Sequence, residues 1–130
     1  MSSLKTCKEV QTLTDQPLNY ALAVALNLDP QVSLGCIWVK HPLDENFDIF
    51  VPTMLWDDIG PYVDRYNIDM VRVGGDGNGG CVIEATANCF TTYTQFTATG
   101  RDRREAICRA ICGLLQRDEV MVPNELLSDD

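Results

Sequence analysis

The strongest pattern in the sequence is an amphipathic helix close to its C-terminal end. Apolar residues recur there at helical spacing, at Ala106, Ile107, Ala110, Ile111, Leu114 and Leu115. Asp102 followed three positions later by Glu105 has the sequence of a capping box, in which two side chains bond the free amides of a first helical turn. The pattern predicts a helix over residues 102–116.

Two shorter helices are predicted before it. The first, residues 15–28, begins at Thr14 or Asp15, repeats leucine and alanine at helical spacing, and ends at Asp29 because the residue before a proline is disfavoured in a helix. The second, residues 57–66, has Pro61 in its first turn, where a proline is tolerated.

Segments rich in strand-forming residues lie between these helices. They cover residues 4–13, 35–39, 47–51, 68–73, 81–85 and 91–98. A glycine-rich stretch at 74–80 predicts a mobile hairpin loop; a β-like segment follows it, so a phosphate-binding loop before a helix is disfavoured. The sum predicts a single α+β domain over residues 1–130: a mostly antiparallel sheet of four or five strands, one long C-terminal helix and two shorter helices. Residues 118–130 are expected to form an extended tail that frays at its end.

Composition restricts the partners that the chain can have. The chain has 130 residues, with 19 acidic and 10 basic side chains and a net charge of −9. Such a surface repels phosphate backbones, so direct nucleic-acid binding is not expected. An acidic surface also permits a DNA-like interaction protein that competes for a basic cleft. No apolar run reaches the length of a membrane span, and the first residues lack the apolar stretch of a signal peptide, which predicts no membrane contact.

Six cysteines and one histidine, His41, do not match a structural zinc pattern, since no C-x-x-C pair occurs. We expect reduced, mostly buried cysteines that act as small hydrophobes, and no cofactor. No set of residues with catalytic spacing emerges, so an enzyme is not expected.

The best local candidate for a site is the start of the last helix, with Arg101, Arg103 and Arg104. Arginines at a helix N-terminus oppose the helix dipole, an arrangement typical of an anion or phosphate site. Trp56, beside the second helix, and Tyr93 are candidates for stacking on an aromatic ligand. The alternatives are that the arginines pair with surface carboxylates and that Trp56 packs its helix onto the core.

Three segments of the sequence, taken in order, resemble the pattern of a known protein family. Residues 13–25 read LTDQPLNYALAVA, residues 52–68 read PTMLWDDIGPYVDRYNI, and the last helix is followed at 120–126 by VMVPNEL. In order and spacing they resemble a family of small tailed-phage proteins of unknown function that includes NinX. The sequence departs from the family pattern at Ile59, where the family has glycine, and at the three arginines, where it has a small-residue turn.

The resemblance implies a phage or prophage origin, expression in the cytoplasm of a bacterial host, and reduced cysteines. It does not assign an activity to the chain. The preferred hypothesis is a non-enzymatic accessory protein that sequesters an anionic small molecule, such as a nucleotide immune signal of host anti-phage defence. The rival is an acidic, DNA-mimic-like interaction protein that inhibits a host enzyme or nuclease. A homo-oligomer in which arginines from two chains converge stays open.

Overall fold

Three α-helices and eight β-strands form the parts of the chain that the computed structural model describes, which are residues 5–40, 46–75, 81–116 and 119–127. The helices are α1 (Asp15–Ala25), α2 (Trp56–Arg65) and α3 (Arg103–Gln116). The strands are β1 (Lys5–Glu9), β2 (Gln31–Ser33), β3 (Cys36–Lys40), β4 (Phe47–Ile49), β5 (Asp69–Gly75), β6 (Cys81–Cys89), β7 (Thr94–Gly100) and β8 (Glu119–Pro123). Two short 3₁₀ turns, Val10–Thr12 and Asn124–Leu126, follow β1 and β8.

The strands form three small antiparallel sheets: β1–β8, β2–β3–β4 and β5–β6–β7. The predicted α+β class is confirmed, whereas the single sheet of four or five strands is wrong. Alternation along a strand indicates which face is buried but not which strand is its neighbour. The helices α1 and α2 flank the middle sheet in the chain, and β1 pairs with β8 instead of joining either of the other sheets.

Strand β2 was not predicted, and β6 and β7 end at Cys89 and Gly100 instead of residues 85 and 98. Four further predicted elements need correction. Residues 4–13 are not one strand, because β1 ends at Glu9 and the Thr12 hydroxyl donates to the Glu9 carbonyl (2.7 Å) within the 3₁₀ turn. Helix α1 stops at Ala25, and Asn27 adopts a positive φ of 61° in the turn that follows. Helix α2 begins at Trp56, one residue earlier than predicted.

The fourth correction concerns the C-terminal region. Helix α3 has 14 residues against 11 in α1, so it is not uniquely long, and β8 follows it. The predicted tail is extended at β8, where Lys5 lies opposite Pro123, but it is part of a sheet. Its predicted frayed end, residues 128–130, lies outside the described residues, as do residues 76–80 of the predicted glycine-rich hairpin loop.

The core lies between α3, α1 and the inner face of the β5–β7 sheet. Its fully buried side chains include Leu18, Leu22, Ile107 and Ile111. The sheet presents small residues to α3, namely Ala85, Ala87 and Ala98. A Cβ added at Gly113 would lie 2.2 Å from the Phe96 ring, so the glycine is what lets the helix and that ring approach. This close packing fixes the C-terminal half of α3 relative to β7.

The cysteines are less buried than predicted. Five of the six have described side chains, and all five are free thiols. Of these five, Cys108 and Cys112 on α3 are buried, whereas Cys7 is exposed and Cys36 and Cys89 are partly exposed. Burial raises the pKa of Cys112 to about 12 and that of Cys108 well above its usual value, so both stay protonated within the core.

A buried amide anchors the segment that leads into α2. The Asn19 Oδ1 on α1 accepts a hydrogen bond from the backbone N–H of Thr53 (3.1 Å), and its Nδ2 donates to Gln16 Oε1 (2.9 Å). The Asp58 carboxylate accepts from the backbone N–H of Val51 (2.8 Å). The segment is therefore hydrogen-bonded to α1 at Thr53 and to α2 at Val51, which positions Trp56 near the start of α3.

Candidate functional site

The arginine-rich segment lies between β7 and α3, where the backbone turns within two residues. A Cβ at Gly100 would lie 2.5 Å from the backbone nitrogen of Ala106, so only glycine allows β7 to end this close to the first turn of the helix. Asp102 Oδ1 accepts a hydrogen bond from the backbone N–H of Glu105 (2.8 Å), which confirms one half of the predicted capping box. The start of α3 is thereby held in place on two sides.

The other half of the predicted capping box is different, because the Glu105 carboxylate bonds to Arg101. Glu105 Oε1 accepts from the backbone N–H of Arg101 (2.9 Å), and Oε2 accepts from its guanidinium at 2.6 Å. These hydrogen bonds raise the pKa of Arg101. Although the Arg101 side chain is 70% exposed, its charge is already matched by a carboxylate.

Arg109 extends this ion pair into the core. It lies one helical turn beyond Glu105 and is buried, with its guanidinium 3.5 Å from Glu105 Oε1. Its Nε donates to the Leu13 carbonyl (2.9 Å) and its Nη1 to the Thr99 carbonyl (2.7 Å). Burial alone would raise the pKa of Glu105, but the hydrogen bonds from Arg101 and the charge of Arg109 bring it below its usual value, so the carboxylate is ionised.

The sequence interpretation did not assign Arg109 a role. Its signal was the spacing of Arg101, Glu105 and Arg109, which places alternating charges on one helix face, together with a charged residue inside the apolar stripe. In the structure Arg109 ties α3 to the chain before α1 and to β7, which makes it a structural arginine.

Arg104 lies over Trp56. The guanidinium carbon is 5.5 Å from the centroid of the indole ring, within the range of a cation–π contact. Its Nε is buried, yet it has no hydrogen-bond acceptor within the described parts of the chain, and the same holds for the Thr53 hydroxyl. Trp56 remains 45% exposed, so the ring both contacts Arg104 and keeps accessible surface.

Arg103 has no partner in the described structure. It is exposed, and among residues 5–40, 46–75, 81–116 and 119–127 it makes no hydrogen bond or ion pair. The backbone N–H groups of Arg103 and Arg104 begin the helix and likewise have no acceptor there. Arg104 and Trp56, together with the exposed Arg103 that precedes Arg104 in the chain, define a cationic and aromatic region, which we call the Trp–Arg surface.

Tyr93 is not part of this surface. It is 90% exposed in the turn between β6 and β7, with a positive φ of 55°. The seven residues of β7 separate it from the arginines, a distance of roughly 23 Å at the usual rise of a strand. The structure thus brings Arg104 onto Trp56, with Arg103 next to Arg104 in the chain, while Arg101 is paired with Glu105 and Tyr93 lies at the far end of the sheet.

A groove lies near the arginines but does not include them. It has a volume of ≈ 720 Å³ and is formed by β1, the start of α1 and the turn after β8, with Lys8, Asp15 and Asn124 among its lining residues. The Trp–Arg surface is separate from this groove. Within the described residues, no three histidine, cysteine, aspartate or glutamate side chains are grouped to hold a metal ion, and no helix is long and apolar enough to cross a membrane. His41 lies outside these residues.

Comparisons with known proteins give no family for the chain: no protein-family model matches it, and no curated protein does. The resemblance to the phage family therefore stays a prediction.

Proposed function

We propose that this chain is a phage accessory protein that binds and sequesters an anionic, aromatic small molecule without converting it. The ligand class is a nucleotide, such as an immune signal of host anti-phage defence, and the site of action is the cytoplasm of the bacterial host. The binding residues are Trp56, Arg103 and Arg104.

The observation that carries this proposal is the environment of the Arg104 side chain. Its side chain lies on Trp56, and its Nε is withdrawn from solvent without an acceptor in the described structure. A buried donor without an acceptor is unfavourable, so a rotation of the Arg104 side chain that exposes Nε to a phosphate oxygen would gain a charge-assisted hydrogen bond. Arg103 next to it adds a second, exposed cation.

A nucleotide matches both parts of the Trp–Arg surface. Its phosphates suit the two guanidinium groups and the free amides at the start of α3, where the helix dipole also favours an anion. Its base suits the accessible part of the Trp56 ring, since stacking on an aromatic side chain is available to every base. A cation next to an accessible aromatic ring therefore favours ligands that carry both an anionic group and an aromatic base.

Binding without turnover is the simpler chemistry here because the two carboxylates at the start of α3 are already engaged. Asp102 caps the helix, and Glu105 is ionised and paired with Arg101 and Arg109. Glu105 is therefore not poised to exchange a proton with a ligand at neutral pH.

The test is a titration of the protein with a panel of cyclic and ADP-ribose-type nucleotides, read by intrinsic fluorescence and by native mass spectrometry. The chain has two tryptophans, and a ligand that stacks on Trp56 quenches one of them, so the quenching disappears in Trp56→Phe while Trp38 still reports folding. Native mass spectrometry gives the bound mass and the oligomeric state in the same sample. A ligand recovered with unchanged mass supports sequestration, and a changed mass would show an enzyme instead.

Arginine variants separate the site from overall charge. Arg104→Ala is expected to weaken binding by roughly tenfold or more, because it removes one charged hydrogen-bond donor. Arg65→Ala is the matched control, since Arg65 lies 5.5 Å from the Tyr66 ring in a comparable pair on α2 and carries the same charge. Equal affinity in both variants, or no binding across the panel, would contradict the proposal. In the second case the acidic interaction protein becomes the better hypothesis.

A further inference from the structure

Strand β4 presents an unpaired edge. Phe50 donates its N–H to the carbonyl of Ile37 (2.8 Å), and these two residues are opposite each other if the register Trp38↔Ile49 continues by one residue. Bonded and non-bonded pairs alternate along antiparallel strands. The backbone N–H and C=O groups of Phe47 and Ile49 therefore point away from β3, toward the outer edge of the sheet.

The next residue on this edge supports the assignment. The N–H of Val51, two residues after Ile49, is bonded by the Asp58 carboxylate (2.8 Å), as expected for a group that points away from β3. Among the described residues, Phe47 and Ile49 have no partner of this kind. The edge is thus closed at Val51 and open at Phe47 and Ile49.

Among the described residues, the outer edge of β7, in contrast to that of β4, is covered by a side chain. This is the side chain of Gln11, which donates to the Thr97 carbonyl (3.5 Å) and accepts from the Thr99 N–H (3.4 Å). Unpaired edges are places where other chains add a strand, and proteins commonly cover them. Within the described parts of the chain, β4 lacks such a cover.

The side chains on β4 are also those of a binding strand. Phe47 is 50% and Ile49 is 43% exposed, and both share a sheet face with Trp38. Met54 and Leu55, shortly after the strand, are exposed as well. Exposed apolar residues concentrated in one short stretch indicate a contact surface more than scattered ones do.

The charge of the strand specifies the partner. Asp48 lies between the two apolar residues, is exposed, and points to the opposite face of the sheet. A strand added here would place one of its residues opposite Asp48, where a lysine or arginine is favoured over an acidic residue. The net charge of −9 attracts cationic segments to the whole surface.

We propose that the open edge of β4 binds an extended segment of a partner protein in which apolar and basic residues alternate. The segment adds a strand to the β2–β3–β4 sheet: its backbone bonds Phe47 and Ile49, its apolar side chains cover those two residues, and a basic side chain faces Asp48. This interaction is independent of nucleotide binding at the Trp–Arg surface.

The test uses a short synthetic peptide that alternates valine and lysine, with a valine–glutamate peptide for comparison, and the full-length protein. Affinity is measured by fluorescence anisotropy, and amide hydrogen exchange is followed by NMR. The amides of Phe47 and Ile49 are expected to become protected on binding, whereas that of Asp48 is already directed at β3. The valine–lysine peptide is expected to bind at least roughly tenfold more tightly than its acidic counterpart, with affinity that falls as salt is added.

Three variants locate the site. Ile49→Pro removes the outward N–H at a position where an edge strand tolerates proline, and is expected to weaken binding by roughly tenfold. Asp48→Lys is expected to weaken it by roughly fivefold, because it places like charges opposite each other. Asp64→Lys makes the same change in net charge at an exposed position on α2 and is expected to leave most of the affinity intact. Circular dichroism confirms that each variant is folded.

Three results would overturn the proposal: no binding of the valine–lysine peptide, unchanged affinity in Ile49→Pro, or protection that appears at β5 instead of β4. Equal losses in Asp48→Lys and Asp64→Lys would show general charge attraction and would also overturn it. Arg104→Ala is expected to bind the peptide normally, so this result and the nucleotide result stand or fall separately.

Discussion

The Glu105 ion pairs give a stability prediction that the structure makes quantitative. Replacing Glu105 with glutamine keeps the shape of the side chain and removes its charge. The backbone N–H of Arg101 keeps a carbonyl acceptor, but the guanidinium groups of Arg101 and Arg109 lose their shared counter-charge.

The size of the effect depends mainly on Arg109. Breaking a buried ion pair costs about 3–5 kcal/mol when the remaining charge has no other partner. Arg109 retains two backbone carbonyls, from Leu13 and Thr99, which offset part of this cost. Arg101 is largely exposed, and water replaces its partner at little cost. We expect Glu105→Gln to lower the free energy of unfolding by about 2–3 kcal/mol, a large share of the ~5–15 kcal/mol typical of a folded domain.

The destabilisation caused by Glu105→Gln is expected to depend on pH. The folded-state pKa of Glu105 is below its usual value, which is about 4.3 in an unfolded chain. The carboxylate therefore contributes its stabilisation fully above about pH 4.3, and this contribution disappears as the pH falls through the lower, folded-state pKa. Near pH 7 the variant is less stable than the original protein, and below the folded-state pKa the two converge.

Urea denaturation followed by circular dichroism, at pH 7 and at several values down to pH 3, measures this difference. Glu9→Gln is the control, because Glu9 is exposed on β1 and the same chemical change there is expected to alter stability by less than about 0.5 kcal/mol. A loss below about 0.5 kcal/mol for Glu105→Gln at pH 7, or a loss that stays constant with pH, would refute the reasoning.

Three further predictions concern other positions. Gly100→Ala is expected to destabilise the protein by about 1–3 kcal/mol in the same urea assay, since the added Cβ meets the backbone of Ala106; an unchanged midpoint would contradict the close approach. Tyr93→Gly is expected to be about 1 kcal/mol more stable than Tyr93→Ala, because the residue has a positive φ, and to bind nucleotides normally; weaker binding would place Tyr93 in the site after all. Hydrogen bonds from neighbouring threonines lower the pKa of Cys89 to about 7, so its alkylation by iodoacetamide, mapped by mass spectrometry, is expected to accelerate through about pH 7, while Cys112 stays unreactive in the native protein; the reverse order would be inconsistent with their burial.

The helices were predictable from the sequence because their signals are local. The periodic apolar residues of α3 and the cap at Asp102 placed that helix to within one residue of its observed start. The sheets were not, because strand pairing depends on partners distant in the chain. Nothing near Lys5 indicates that β1 lies opposite Pro123.

The candidate site was predictable only in part, for the same reason. The arginine cluster and the exposed indole were visible as separate features, but the contact between Arg104 and Trp56 forms only when α2 and α3 pack. Pairing of Arg101 with Glu105 followed a local spacing that the sequence contains. The burial of Arg109 required knowledge of which carbonyls lie across from it.

The pairing of β1 with β8 determines how the protein responds to a mechanical pull. The strands are antiparallel with Lys5 opposite Pro123, so the chain enters and leaves this sheet at the same end. A force applied between residues 5 and 123 acts across the pair and loads its hydrogen bonds one after another, as in a zipper, instead of shearing them together. An unfolding machine that draws these two points apart therefore opens the β1–β8 sheet first, while α3 and the β5–β7 sheet, which lie between them in the chain, remain folded.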